Sequence, residues 1–404
     1  MSSSLALRHL RHLSTTTPTP SSLSIAQAKS RLKSEYNPDK ALQIYSSISK
    51  DNTSPLSTRY AQEYTVKRLA KAYRFDQIKA FLESHKKDPK IKNEGFLASI
   101  IRSYGVAGLF DEALKIYTEM DDLGTPRSSI SFNALLSAHV RGKRFEDALK
   151  VFDEMPQRHG FKPDKVSYGI LVKAYCGMGK VDLAMERLRE MEENGVEITS
   201  VTYTTVLHSF FQKGMVDEAE KVWNDMVSKG CADVGAYNVR IMNAHGGNVE
   251  DVKELIEEMS NNGLVPDAIT YNYLMTSYCK RNSMDEAIKV FDDLESNGCQ
   301  PNAATFRTLV FHLCKNGRFE TAHDFFKKSV VAHKIPDFNT LKYLVEGLVK
   351  NSKTEEAKEM ILCIKKKFPP NVVKAWGKLE KELGFGIAHN DESASVGSEK
   401  VASA

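Results

Sequence analysis

The residues of this chain best suited to chemistry are its six cysteines, eleven histidines and several paired carboxylates, and their spacing argues against each reaction they suggest. No Cys-x-x-Cys pair occurs, so the sequence lacks the close thiolate pairs that open most structural zinc sites. Cys176, Cys279 and Cys314 stand at equivalent places of a repeating unit, as do Cys231 and Cys299, which marks them as packing residues rather than a ligand set. The histidines form no His-Glu-x-x-His, which would put two metal ligands and a general base on one helix face. Nor is there a His-x-Glu followed by a cysteine pair, the arrangement of a zinc deaminase. Asp121-Asp122 and Asp292-Asp293 fall on the polar sides or ends of amphipathic segments and read as solvated charge. No glycine-rich phosphate loop follows a strand-like segment. The sequence therefore predicts no catalytic site, no metal, no cofactor and no small-molecule substrate.

What the chain has instead is a period. A Ser/Thr-aromatic motif recurs at Phe132, Tyr168, Tyr203, Tyr237, where Ala236 replaces the hydroxyl residue, Tyr271 and Phe306, with Leu341 in register after them and Leu97 before. A second series, a small residue inside an acidic-apolar run, falls at Ala113, Ala148, Ala184, Ala219, Ala287, Ala322 and Ala357, broken only by Val252. Both repeat about every 35 residues, the spacing of stacked helical hairpins. Within one unit, residues 270–280 place Tyr271, Leu274, Met275 and Tyr278 on one helical face. Asn282-Ser283 makes a turn, and Ala287, Ile288, Phe291 and Leu294 mark a second amphipathic helix that Asn297-Gly298 ends. Asp164, Asp267 and Asp337 follow prolines and are expected to cap the next hairpin.

Each hairpin leaves an apolar face that only the next can cover. The expected fold is all-α, a right-handed superhelical solenoid of helix-turn-helix repeats with the first helices lining its concave side. Eight units start near residues 94, 129, 165, 200, 234, 268, 303 and 338 and run to 371. Two degenerate hairpins, about 24–58 and 59–93, precede them and make up the region 29–93 after the leader. Residues 372–383 are expected to form a C-terminal capping helix carrying Trp376 and Leu379 inward, and 384–404 a disordered tail.

The first 28 residues hold Arg8, Arg11, eleven Ser or Thr and no acidic residue, the composition of a mitochondrial transit peptide, with cleavage expected after Leu13. The formal net charge is +4, and removing the two leader arginines leaves 4 − 2 = +2. Any attraction for nucleic acid must therefore come from a local basic surface such as Lys327-Lys328, Lys342, Lys365-Lys366-Lys367, Lys374, Lys378 and Lys381. No stretch approaches the roughly 20 apolar residues of a membrane span.

Ile269-Thr-Tyr-Asn, Tyr278-Cys-Lys, Met284-Asp-Glu-Ala and Asn297-Gly-Cys-Gln-Pro-Asn resemble the consensus of the P-class pentatricopeptide repeat, a family of organellar RNA-binding proteins. Tyr60-Ala-Gln-Glu-Tyr, Gly124-Thr-Pro-Arg-Ser, Ala303-Ala-Thr-Phe-Arg and His333-Lys-Ile-Pro-Asp-Phe resemble the short plant mitochondrial members associated with the mitochondrial ribosome, mainly its small subunit. The Trp and Gly-Tyr signatures of the tetratricopeptide alternative are missing.

The resemblance implies one base read per hairpin by the fifth and last residues of a unit, with an aliphatic second residue packing on the base. Carried over, the pairs are Ala98 with Ser128, Asn133 with Asp164, Gly169 with Thr199, Thr204 with Asp233, Asn238 with Asp267, Asn272 with Asn302, and Arg307 with Asp337. The second-place residues are Ile130, Val166, Val201, Gly235, Ile269 and Ala304, while Arg307 and Lys342 suit phosphates. From Asn133 the family's code implies U, an unspecified base, G, U, then a pyrimidine. In function, the resemblance implies a scaffold in the mitochondrial matrix, contacting rRNA or mRNA and mitochondrial ribosomal proteins in support of translation. Alternatives are a transcript-specific factor for RNA stability, processing or translation initiation, and a protein-protein adaptor.

Overall fold

The structure, a computed structural model, describes residues 23–48, 55–244, 248–368 and 370–385. They fall into two units, Met1–Glu197 and Ile198–Ala404. In the first unit, α1 (Ile25–Ser34) pairs with α2 (Pro38–Ser46), and α3 (Pro55–Lys71) with α4 (Phe75–Ser84). Three regular hairpins follow: α5 (Glu94–Ala107) with α6 (Phe110–Thr118), α7 (Ser129–Arg141) with α8 (Phe145–His159), and α9 (Lys165–Gly177) with α10 (Val181–Glu193).

The second unit repeats the pattern in α11 (Ser200–Gln212) and α12 (Val216–Ser228), then α13 (Val234–Ala244) and α14 (Val249–Asn261). It continues with α15 (Ala268–Lys280) and α16 (Met284–Ser296), α17 (Ala303–Lys315) and α18 (Phe319–Val331), and α19 (Phe338–Lys350) and α20 (Thr354–Lys367). A final helix, α21 (Pro370–Glu382), buries Trp376 in the same core and turns it edge-on to Phe338, ring centroids 4.9 Å apart. Among the described residues no strand forms, only an isolated bridge between Leu23 and Ile48. The fold is thus the all-α array of helical hairpins that the period implies. The last residues of the expected leader, Ile25 to Ala28, belong to α1; the expected cleavage after Leu13 lies outside the described residues, as does the tail beyond 385.

The two periodic series show why the hairpins close. Ala113, Ala148, Ala184, Ala219, Ala287, Ala322 and Ala357 are all buried, and so is Val252 where the series breaks, so small side chains let paired helices approach. The motif aromatics turn into the core, and three of the four tyrosines among them bond across their own hairpin. Tyr168, Tyr203 and Tyr237 donate their hydroxyls to Glu190 (3.0 Å), Asp225 (2.7 Å) and Glu258 (3.0 Å) on the second helix. The turn between helices needs one left-handed residue, which Asn282 supplies at φ 60°. Cys279 and Cys314 lie in this core, where burial pushes both thiols up to about 12, so they pack rather than react.

Candidate nucleic-acid interface

The amino terminus of each first helix exposes unpaired backbone N–H groups, and the residue before it must satisfy them. At α9 this is Asp164, whose Oδ1 accepts from the backbone of Val166 and Ser167, both at 2.9 Å, while its own N–H is held by the Ser167 hydroxyl. The same carboxylate reaches the preceding repeat: Asn133 on α7 donates its amide to Asp164 Oδ1 at 3.0 Å, and the Ser167 hydroxyl donates to Asn133 Oδ1 at 2.6 Å. Cap, amide and hydroxyl therefore form one closed network between successive hairpins. Burial alone would raise the Asp164 pKa; the Ser167 N–H, the Asn133 amide and the hydroxyls of Ser129 and Ser167 outweigh it and hold the carboxyl below its ordinary value.

In the second unit the network recurs with Asn238, Asp267 and Thr270: the amide donates at 3.0 Å and the Thr270 hydroxyl returns at 2.7 Å. It loosens at Asn272, whose amide meets Asn302 Oδ1 at 3.4 Å while its own buried carbonyl oxygen finds no partner. It is missing at Thr204, for the hydroxyl there is buried without a partner and Asp233 only caps α13 through Ala236 N–H at 2.9 Å. The structure thus brings together three of the expected polar pairs and leaves Thr204 and Asp233 unbonded to each other, because a threonine hydroxyl is shorter than an asparagine amide. Arg307 helps hold down the Asp337 carboxyl, after burial, which opposes, and the Thr340 donors. Lys342 is 3.6 Å from Glu346.

Sequence reasoning missed two participants. One is the Ser or Thr at the third place, Ser167 and Thr270; it was visible as half of the periodic motif, without a role. The other is Glu94 on α5. Ahead of α7 the cap is Ser128, and Ala98 offers no amide, so Glu94 reaches across instead and accepts from Ser128 N (2.7 Å), Ser128 Oγ (2.7 Å), Ser131 N (3.0 Å) and Ser131 Oγ (2.8 Å). Glu94→Ala removes a charged acceptor serving four donors and is expected to lower stability by about 1–2 kcal/mol. The melting midpoint of the variant measures this, and an unchanged midpoint would show that water replaces the carboxylate at no cost.

The second-place aliphatics remain uncovered: Ile130, Val166 and Ile269 are each about half exposed, and Val201 72%. Apolar side chains left in water beside polar caps suit the faces of bases. The late lysine run is divided by its contacts. Lys365 pairs with Glu380 at 2.5 Å and Lys367 donates to the Val330 carbonyl at 2.7 Å, so two of the three consecutive lysines are engaged within the protein. No described helix is long and apolar enough to cross a membrane.

Comparison with known proteins identifies the repeat. The model described as the PPR repeat family fits residues 127–177, 163–212, 198–242 and 266–315, and the PPR repeat model fits 98–125 and 304–331. The chain is 52% identical over 393 residues to the small ribosomal subunit protein mL103 of Arabidopsis thaliana, covering 95% of each. It is 53% identical over 407 residues to a mitochondrial pentatricopeptide repeat-containing protein of the same plant, covering 98% of this chain and 96% of the relative. Among solved structures, the pentatricopeptide repeat protein PPR10 from maize aligns with a TM-score of 0.42 at 18% identity, over 89% of this chain and 58% of that one.

Proposed function

The chain belongs to the pentatricopeptide repeat family, and from that premise we propose that it is a mitochondrial RNA-binding scaffold of the small ribosomal subunit that supports translation and performs no catalysis. The observation that carries the reading is the end-to-end identity with a small ribosomal subunit protein, 52% across 95% of both chains. The interface agrees in character. Three amide bridges, one of them loose, a buried threonine and glycines at Gly169 and Gly235 give a discontinuous set of base-reading groups. Such a surface suits a protein seated on folded rRNA, where position is fixed by many interactions besides those with bases.

The intact bridges at Asn133 and Asn238 favour a second reading, a factor for a particular mitochondrial transcript carrying U, an unspecified base, G, U and a pyrimidine in order. Sedimentation separates the two. Tagged protein from mitochondrial lysate is expected to co-migrate stoichiometrically with the small subunit and to stay there in moderate salt. Recovery in light fractions with a short nuclease-protected RNA would overturn the ribosomal reading in favour of the second.

A further inference from the structure

The helices α3, α5 and α7 carry six basic residues, Arg59, Lys67, Arg68, Lys71, Arg102 and Arg141, and two acidic ones, Glu63 and Glu94. Both acids are committed. Glu63 pairs with Arg59 at 3.1 Å, and Glu94 takes its four bonds from Ser128 and Ser131. Arg68 is turned toward the carbonyls of Leu32, Lys33 and Glu35. Arg102, half-buried, and Arg141, exposed, have no ion pair or hydrogen bond among the described residues.

Their register places them beside the base-reading positions. Arg102 lies one helical turn beyond Ala98, and Arg141 two turns beyond Asn133, so both share the side of the fifth-place residues. The helices that carry them are tightly joined. Gln62 of α3 donates to Ser103 Oγ at 2.9 Å and to the Ser99 carbonyl at 3.3 Å on α5, and α5 meets α7 at Gly105, where an added Cβ would lie 2.4 Å from the Ala138 Cβ. Burial lowers the Arg102 pKa to about 10; the Arg59 charge deepens the shift, Glu63 opposes it and Arg141 adds to it. A guanidinium with like charges on both sides and no carboxylate of its own destabilises the protein until an anion arrives.

We propose that Arg102 and Arg141, backed by Arg59, bind a phosphate of the RNA backbone at a site separate from the base-reading pairs. The inference rests on the RNA-binding reading above. Two guanidinium forks match the oxygens of a phosphodiester, and a bond to phosphate sets position without reading sequence. Such an anchor fixes where the strand begins along the repeats, which a sparse set of base-reading groups cannot do alone.

The test uses the full chain and fluorescent oligo-U and oligo-A of about 15 nucleotides, with affinity followed against salt. Arg102→Gln with Arg141→Gln is expected to weaken both probes by the same factor, roughly tenfold near 0.1 M salt, and to reduce the slope of log affinity on log salt by about 0.7 for each phosphate that the protein no longer neutralises. Asn133→Ala should change the ratio of the two affinities and leave the slope alone. Arg102→Gln should melt no lower than the parent, since it gives up no partner, which shows that the variant is folded. Equal affinity and slope in parent and double variant would overturn the site while leaving RNA binding intact. A parent that binds neither probe would overturn both the site and the RNA reading, and loss of polyglutamate binding with RNA binding unchanged would reassign the arginines to an acidic protein.

Discussion

Gly105→Ala is expected to destabilise the protein by about 2 kcal/mol, and Ala138→Gly in the same chain to restore most of the loss. The methyl group introduced at Gly105 would sit 2.4 Å from the Ala138 Cβ and 2.7 Å from its Cα, and a backbone atom cannot swing aside as a long side chain does. The sign of the result is informative, because alanine in place of an interior helical glycine ordinarily stabilises by about 1 kcal/mol. Crowding between α5 and α7 must exceed that gain for the protein to lose stability. Thermal melting of the two single variants and the double measures it, and a Gly105→Ala protein as stable as the parent would mean that the helices separate without cost. The same close approach joins the helices that carry Arg102 and Arg141, so the single variant is also expected to weaken RNA binding at temperatures where it remains folded.

The hairpin boundaries could be read from sequence because three local signals recur along the chain: a capping polar residue, most often Asp or Asn, a second-helix residue that is small everywhere but at Val252, and a turn residue able to take positive φ. Asp164, Ala184 and Asn282 each occupy the place that these signals assign. The first helix of the worked unit starts at Ala268, a little before Thr270, because the cap at Asp267 satisfies the N–H groups of Ile269 and Thr270 directly. The site was less legible. A fifth-place residue and the next cap can be paired by counting, but whether they bond depends on side-chain reach, which separates Asn133 from Thr204 at the same place in the repeat. Glu94 escaped notice because its partners lie 34 and 37 residues away, and the meaning of Arg102 depends on which carboxylates its neighbours have already taken.

Asp164→Ala should cost more than a helix cap usually does, because the carboxylate serves two hairpins at once. Loss of the cap is worth about 1 kcal/mol. Leaving the buried Asn133 amide without its acceptor adds about 1–3 kcal/mol, for a total near 3 kcal/mol. Asp164→Asn keeps an oxygen in the same place and should lose less than half of that. The two variants should also differ from the parent in their response to acid. The folded-state carboxyl titrates below its unfolded value, so its contribution is fully present above the ordinary aspartate pKa of about 3.9 and is lost as the pH falls below it. The parent should therefore show a fall in melting midpoint below about pH 4 that is smaller in Asp164→Asn, which has no proton to gain at that position. If Asp164→Ala melts within about a degree of the parent, then the bridge from Asn133 is dispensable for folding. The 3.0 Å amide bond would in that case matter only for orienting Asn133, and under the proposed base-reading role the loss should appear in uridine preference alone.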